Sequence, residues 1–148
     1  MDSFRIYILV ACFMALSLGT AVRGYTQCDT IATLCERNFE EKFVSDGQSY
    51  RALLLGEQNA EFYSTFYGGS TYRITGCTGL SNGNLEFSLY DEERNLLFSN
   101  KNFSTDEFRN APYWDFEIKS TINCIIEAKL NGDNMASGCA VLLIGFKQ

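Results

Sequence analysis

Histidine is absent from the chain. That removes Ser-His-Asp and Cys-His nucleophilic machinery, together with every histidine-ligated metal. No serine sits in a GxSxG setting, since Gly69-Ser70 and Gly47-Gln48-Ser49 read as ordinary turns. No glycine loop of the phosphate-cradling type is present. The cysteines include no CxxC pair, so a zinc site is not expected, and the chain calls for no cofactor and no metal. Basic residues are scarce. Residues 1–24 hold Arg5, Arg23 and Asp2, leaving 10 basic against 17 acidic residues, a net −7, in the remainder. Such a balance speaks against nucleic acid, whose affinity comes from neutralised phosphates, and against anionic membrane surfaces.

One apolar run is present near the start. Ile6–Leu18 follows a short polar segment with one basic residue and precedes the small residues Gly19, Thr20 and Ala21. This is the pattern of a cleavable signal peptide over 1–24, with cleavage after Ala21 or Gly24. The run is shorter than the ~20 residues that span a bilayer. Cys28 follows Tyr25-Thr26-Gln27, without the small residues a lipoprotein signal places there. The expectation is a secreted or periplasmic protein, with one domain over 25–148 and no membrane insertion after signal cleavage.

In an exporting compartment cysteines form disulfides. Cys12 falls in the signal segment, leaving Cys28, Cys35, Cys77, Cys124 and Cys139. Cys28 and Cys35 in one helix would stand ~10.5 Å apart, beyond disulfide reach. Cys124 lies in phase with Ile122, Ile126, Ala128 and Leu130, which marks it as a buried free thiol. Cys28, Cys35, Cys77 and Cys139 are the disulfide candidates, with Cys77–Cys139 the first pairing expected.

Apolar periodicity predicts one helix over about 30–44, capped by Asp29, with Ile31, Leu34, Cys35, Phe39 and Phe43 along one stripe. Asp46-Gly47 would stop it. From about 50 to 147 the period changes to two. Strands are expected at 50–55, 62–67, 71–77, 85–90, 96–99, 114–118, 122–130 and 139–146, with Gly68-Gly69 as a tight hairpin turn. The last strand has no polar face and belongs in the centre, under the helix. The fold expected is a mainly β, antiparallel, jelly-roll-like sandwich of about eight strands with one N-terminal α-helix.

The stretch Tyr67-Gly68-Gly69-Ser70-Thr71-Tyr72-Arg73-Ile74 resembles a strand opening in pre-peptidase C-terminal-type jelly-roll domains. Leu85 to Asp91 with Leu96-Leu97-Phe98 looks like the next hairpin of that pattern. The ending Gly138 to Lys147 is similar to that of a group of small secreted bacterial β-sandwich proteins of unassigned function. The resemblance spans roughly residues 50–147. It implies a secreted sandwich accessory to adhesion or polymer binding and supplies no catalytic residue.

Candidate chemistry is limited to carboxylates and aromatics. Asp115 and Glu117 share a strand face, and Glu127 is expected opposite them across a hairpin, an arrangement a small hydrolase could use. Solvent-facing positions near Lys119 and Lys129 explain them better. Asp91-Glu92-Glu93 with Asn95, and Asn131 with Asp133 and Asn134, offer oxygen ligands for calcium but read as polar turns. Trp114 is in phase with Phe116 and Ile118 and belongs to the core. Tyr113, Tyr90 and Tyr67 are the candidate ligand-binding residues, with Tyr63, Phe103 and Phe108 as further members of an exposed patch. Asn102-Phe103-Ser104 is an N-glycosylation sequon in a polar loop. The reading is a non-enzymatic module that binds extracellular polysaccharide or protein. The alternatives are an assembly subunit pairing through strand edges or Cys124, and the carboxylate hydrolase.

Overall fold

The computed structural model describes residues 25–79, 84–131 and 137–148. The expected signal segment lies outside them, as do Asp133 and Asn134. Helix α1 (Tyr25–Cys35) runs into a 3-10 turn (Glu36–Phe39). Eight strands follow: β1 (Phe43–Leu55), β2 (Asn59–Phe66), β3 (Ser70–Thr78), β4 (Asn84–Tyr90), β5 (Leu96–Ser99), β6 (Tyr113–Ile118), β7 (Ile122–Asn131) and β8 (Ser137–Lys147). A 3-10 turn (Asn100–Asn102) and the short helix α2 (Asp106–Arg109) lie between β5 and β6.

The strands form two antiparallel sheets, β1-β8-β3-β6 (sheet A) and β2-β7-β4-β5 (sheet B). β1 pairs with β8, β2 with β7, β3 with β6 and β4 with β5. The chain is thus one long hairpin rolled into a sandwich, the jelly-roll arrangement. β1 and β2 are the free edges on one side, β6 and β5 on the other.

β8 holds the centre of sheet A, and its burial explains the rest. Residues 139–144 are each at most 2% exposed. Ala140, Leu142 and Ile144 face the sandwich core with Phe66, Ile74, Phe87, Trp114 and Ile126. Cys139, Val141 and Leu143 face the opposite way, into a second core under Ala32, Cys35, Phe39 and Phe43. Burying each such aliphatic chain contributes about 1.5–3 kcal/mol. The second face therefore requires a cover, and α1 with its 3-10 turn provides it. Close packing shows at Gly145, where a Cβ would stand 2.9 Å from the Phe39 ring.

The helix differs from the expected 30–44. It begins at Tyr25 and ends at Cys35, while Phe43 and Val44 belong to β1. Its buried positions are Cys28, Ala32 and Cys35, and Leu34 is 51% exposed. Asp29 lies inside the helix and pairs with Arg51 of β1 instead of capping. Asp46-Gly47 sits in an irregularity of β1 between Ser45 and Ser49, with Gly47 at φ +81°. Gly68-Gly69 is not a hairpin turn, because β2 and β3 belong to different sheets. It is an arch packed on the arch that joins β6 to β7. Gly69 N–H donates to Ile118 O at 2.7 Å and Gly68 N–H to Thr121 Oγ1 at 3.1 Å. A Cβ on Gly68 would meet Lys119 O at 2.9 Å.

Two disulfides fasten the cover, Cys28–Cys139 and Cys35–Cys77. The four candidates are all bonded, but the expected Cys77–Cys139 pairing is corrected. Cys77 is opposite Val141 in the β3–β8 register, so Cys139 is offset from it. Each strand cysteine instead meets one on the underside of α1. Cys124 is the buried free thiol, and burial raises its pKa, so it stays protonated and weakly nucleophilic at neutral pH.

These bonds close nested loops of 111 and 42 residues. By loop-closure entropy they are worth up to about 5 and about 4 kcal/mol, without additivity. Cys28→Ala/Cys139→Ala and Cys35→Ala/Cys77→Ala variants should each lose a large part of that in denaturant titration. Both should bind a hydrophobic dye as the Val141–Leu143 face is uncovered. Within residues 25–148 and without reductant, alkylation should find no reactive thiol in the native protein and one, Cys124, in denaturant.

Candidate functional site

Because α1 covers sheet A, the outer face of sheet B is the open four-stranded surface. Inward residues of its strands (Phe62, Cys124, Ile126, Leu85, Phe87, Leu89, Phe98) build the core. The residues alternating with them face out. Register places Tyr63 beside Ile125, Ile125 beside Tyr90, and Tyr90 beside Leu96. One apolar and aromatic row therefore crosses all four strands. Tyr63 is 67% and Leu96 50% exposed, while Ile125, between two tyrosines, is 8% exposed.

Polar rows flank it. On one side Glu61, Glu127, Ser88 and Ser99 follow one another across the strands. Arg94, from the β4–β5 turn, reaches over β7 to Glu61 with contacts of 3.0 and 3.1 Å. On the other side Thr65 Oγ1 donates to Asn123 Oδ1 at 2.8 Å, and Asn123 Nδ2 donates to Glu92 Oε1 at 3.2 Å. These bonds fix Glu92 at the end of the row.

From there the surface turns round the β2 edge into a groove of about 900 Å³. The irregular part of β1 contributes Asp46 and Gln48, β2 and the residue beyond it contribute Tyr63 and Tyr67, and Glu92 closes the end. Tyr67 is 63% exposed, and its N–H donates to the buried Tyr72 hydroxyl at 3.0 Å. Tyr50 OH donates across the opening to Gln48 Oε1 (2.6 Å) or to Tyr63 O (3.1 Å), tying the β1 and β2 edges together. Burial raises the pKa of Asp46, opposed by the N–H of Gln48 at 2.8 Å.

The predicted tyrosines do not form one patch. Tyr90 joins the row and Tyr67 the groove. Tyr113 is corrected: it is no exposed platform. It stacks on the Arg73 guanidinium, whose Cζ lies 3.6 Å from its ring centroid and 4.1 Å from that of Phe43. Arg73 is 5% exposed, donates to both oxygens of Asp115 at 2.7 and 2.9 Å, and to Asn38 O at 3.0 Å. It is a structural rivet between sheet A and the 3-10 turn. Asp115 is thereby engaged, and Glu127 is in the other sheet, so the three acids expected to converge do not. Asp91 accepts from the N–H groups of Glu93 and Asn95 and from Asn95 Nδ2, which lowers its pKa and shapes a turn. Among the described residues no cluster suits a metal. Trp114 is buried, with its N–H donated to Phe108 O. Asn102 of the sequon is exposed, beside Phe103, which packs on Phe98 and Phe108.

Ile125, Leu96 and Asp46 were not among the candidate site residues, and Glu92 was named only as a calcium ligand in a polar turn. The doublets Ile125-Ile126 and Leu96-Leu97 carried a signal: in a period-two strand, one member of an apolar pair must face outward.

No family model matches the chain, and no curated protein matches it. Among solved structures it is similar to PliG of Aeromonas hydrophila, described as a periplasmic lysozyme inhibitor of g-type lysozyme. Identity is 10%, the match covers 68% of this chain and 85% of that one, and the TM-score is 0.49.

Removing the Asp115 carboxylate leaves two Arg73 nitrogens without acceptors. A fully enclosed pair loses ~3–5 kcal/mol on such a change. Asp115 is 40% exposed and water can replace part of it, so Asp115→Ala should lose about 2–3 kcal/mol. Denaturant titration checks this, and any ligand binding at sheet B should be unchanged in the folded variant.

Proposed function

We propose that the chain is a non-enzymatic binding module of an extracellular or periplasmic compartment, with the outer face of sheet B as its contact surface for an extracellular protein or polymer. The observation that carries this is the register row Tyr63–Ile125–Tyr90–Leu96 between two polar rows, with Tyr63 and Leu96 exposed at its ends and Ile125 buried within it. Rigid aromatic side chains flanked by hydrogen-bonding groups are the composition of a recognition surface. Two disulfides suit such a compartment. The separation of the carboxylates, with Asp115 held by Arg73 and Glu127 in the other sheet, supports a binding role over the hydrolase.

A second reading is assembly through an edge. β1 is an edge strand, and its Leu53 and Leu55 are each 56% exposed. Linkage through Cys124 is not part of it, because that thiol is 4% exposed.

Photo-crosslinkers placed at Ser88 on sheet B and at Glu117 on sheet A separate these surfaces. The Ser88 probe should capture ligand from the native extracellular fluid and the Glu117 probe should not. Tyr63→Ala with Tyr90→Ala should weaken that capture by about 30-fold or more, the loss of about 2 kcal/mol or more expected of central aromatic anchors. Equal capture from both probes, or capture indifferent to the two tyrosines, contradicts the proposal. Sizing of a Leu53→Lys/Leu55→Lys variant tests the edge reading.

A further inference from the structure

The groove beside β2 has a charge of one sign. Its lining includes Asp46 and Glu92 and no lysine or arginine. Among the described residues, neither carboxylate makes an ion pair. Arg94, from the same turn as Glu92, is engaged by Glu61. Burial raises the Asp46 pKa against the lowering effect of backbone N–H groups, that of Gln48 first. The walls carry two exposed rings, Tyr63 and Tyr67.

The groove wraps round β2: Tyr63, Ser64 and Thr65 line it together with residues 123–125 of the neighbouring β7 and Tyr72 and Phe146 of sheet A, so it takes in both faces of β2. β2 pairs with β7 on one side; on the other it meets no strand, and the Tyr50 hydroxyl, shared with Gln48, reaches Tyr63 O at 3.1 Å, a contact an added segment would displace. A free edge of this kind is where an extended segment can add by main-chain hydrogen bonds, with side-chain pockets setting specificity.

We infer that the groove receives an extended, cationic segment of a protein partner, laid along the β2 edge with a basic side chain between the Tyr63 and Tyr67 rings and the Asp46 and Glu92 carboxylates. The chemistry is complementary on each count. Tyrosine faces attract ammonium and guanidinium groups, unpaired carboxylates select a positive charge, and a chain of net −7 beyond residue 24 draws cationic partners from a distance. A neutral sugar polymer would use the rings and leave the carboxylates idle, and a polyanion would be repelled. The inference rests on the binding-surface reading of sheet B and extends it round the β2 edge.

The test is NMR titration of the intact disulfide-bonded protein with a short peptide of alternating arginine and valine. Its glutamate-valine counterpart and a neutral β-glucan oligosaccharide are the parallel arms. The cationic peptide should shift Asp46, Tyr63, Tyr67 and Glu92, and weaken with added salt; the acidic peptide should shift none of them. Asp46→Asn with Glu92→Gln keeps the local hydrogen-bonding shapes and should weaken the cationic peptide at least about tenfold. Glu117→Gln, on the other sheet, should leave it unchanged. Absence of shifts in the groove, or shifts that survive the double substitution, overturns the inference. Salt-independent shifts at Tyr63 and Tyr90 from the oligosaccharide, with none from the cationic peptide, overturn it while leaving the binding-surface reading standing.

Discussion

A strand with no polar face must be covered twice, and that demand organises this molecule. Residues 139–144 of β8 are buried almost completely, with alternate side chains in two separate cores. One core is the ordinary interior of a sandwich. The other exists only because α1 and its 3-10 turn lie across sheet A. An 11-residue helix has little stability alone. It is held by two disulfides to β8 and β3 and by the Arg73 rivet, in which a buried guanidinium is satisfied by Asp115, Asn38 O and two aromatic rings.

The same arrangement directs recognition to the opposite side. With the β8 part of the outer face of sheet A closed by the helix, the broad surface left open belongs to sheet B. Its strands alternate inward apolar residues with outward polar ones except along one row, where Tyr63, Ile125, Tyr90 and Leu96 fall in register. Register converts four residues distant in sequence into neighbours, and beside β2 lies a groove whose Asp46 and Glu92 make no ion pair among the described residues.

Much of the architecture was legible in the sequence. Period-two alternation marked the strands, and the unbroken apolar run of β8 announced a central, doubly covered strand. Cys124 showed its burial through its phase with Ile122 and Ile126. What failed has specific causes. Phe39 and Phe43 continue a helical stripe in sequence, yet Phe39 packs on Gly145 and Phe43 pairs in β1. Gly68-Gly69 has the chemistry of a tight turn, and turn chemistry does not say whether the chain returns to the same sheet. Tyr113 is out of phase with the core, which suggested solvent, but Arg73 on the neighbouring strand claims its ring. The site was the least legible part, because it depends on cross-strand register and on which sheet the helix covers.

Hydroxyl-radical footprinting of the intact, oxidised protein tests the central claim, that one sheet face is closed by the disulfide-held helix and the other is open. Phe39, Phe43, Val141 and Leu143 should be modified slowly, while Tyr63, Tyr67 and Leu96 should be modified fast. Rapid modification of the Phe39–Leu143 group in the oxidised protein, or protection of Tyr63 and Leu96 in the free protein, would contradict it.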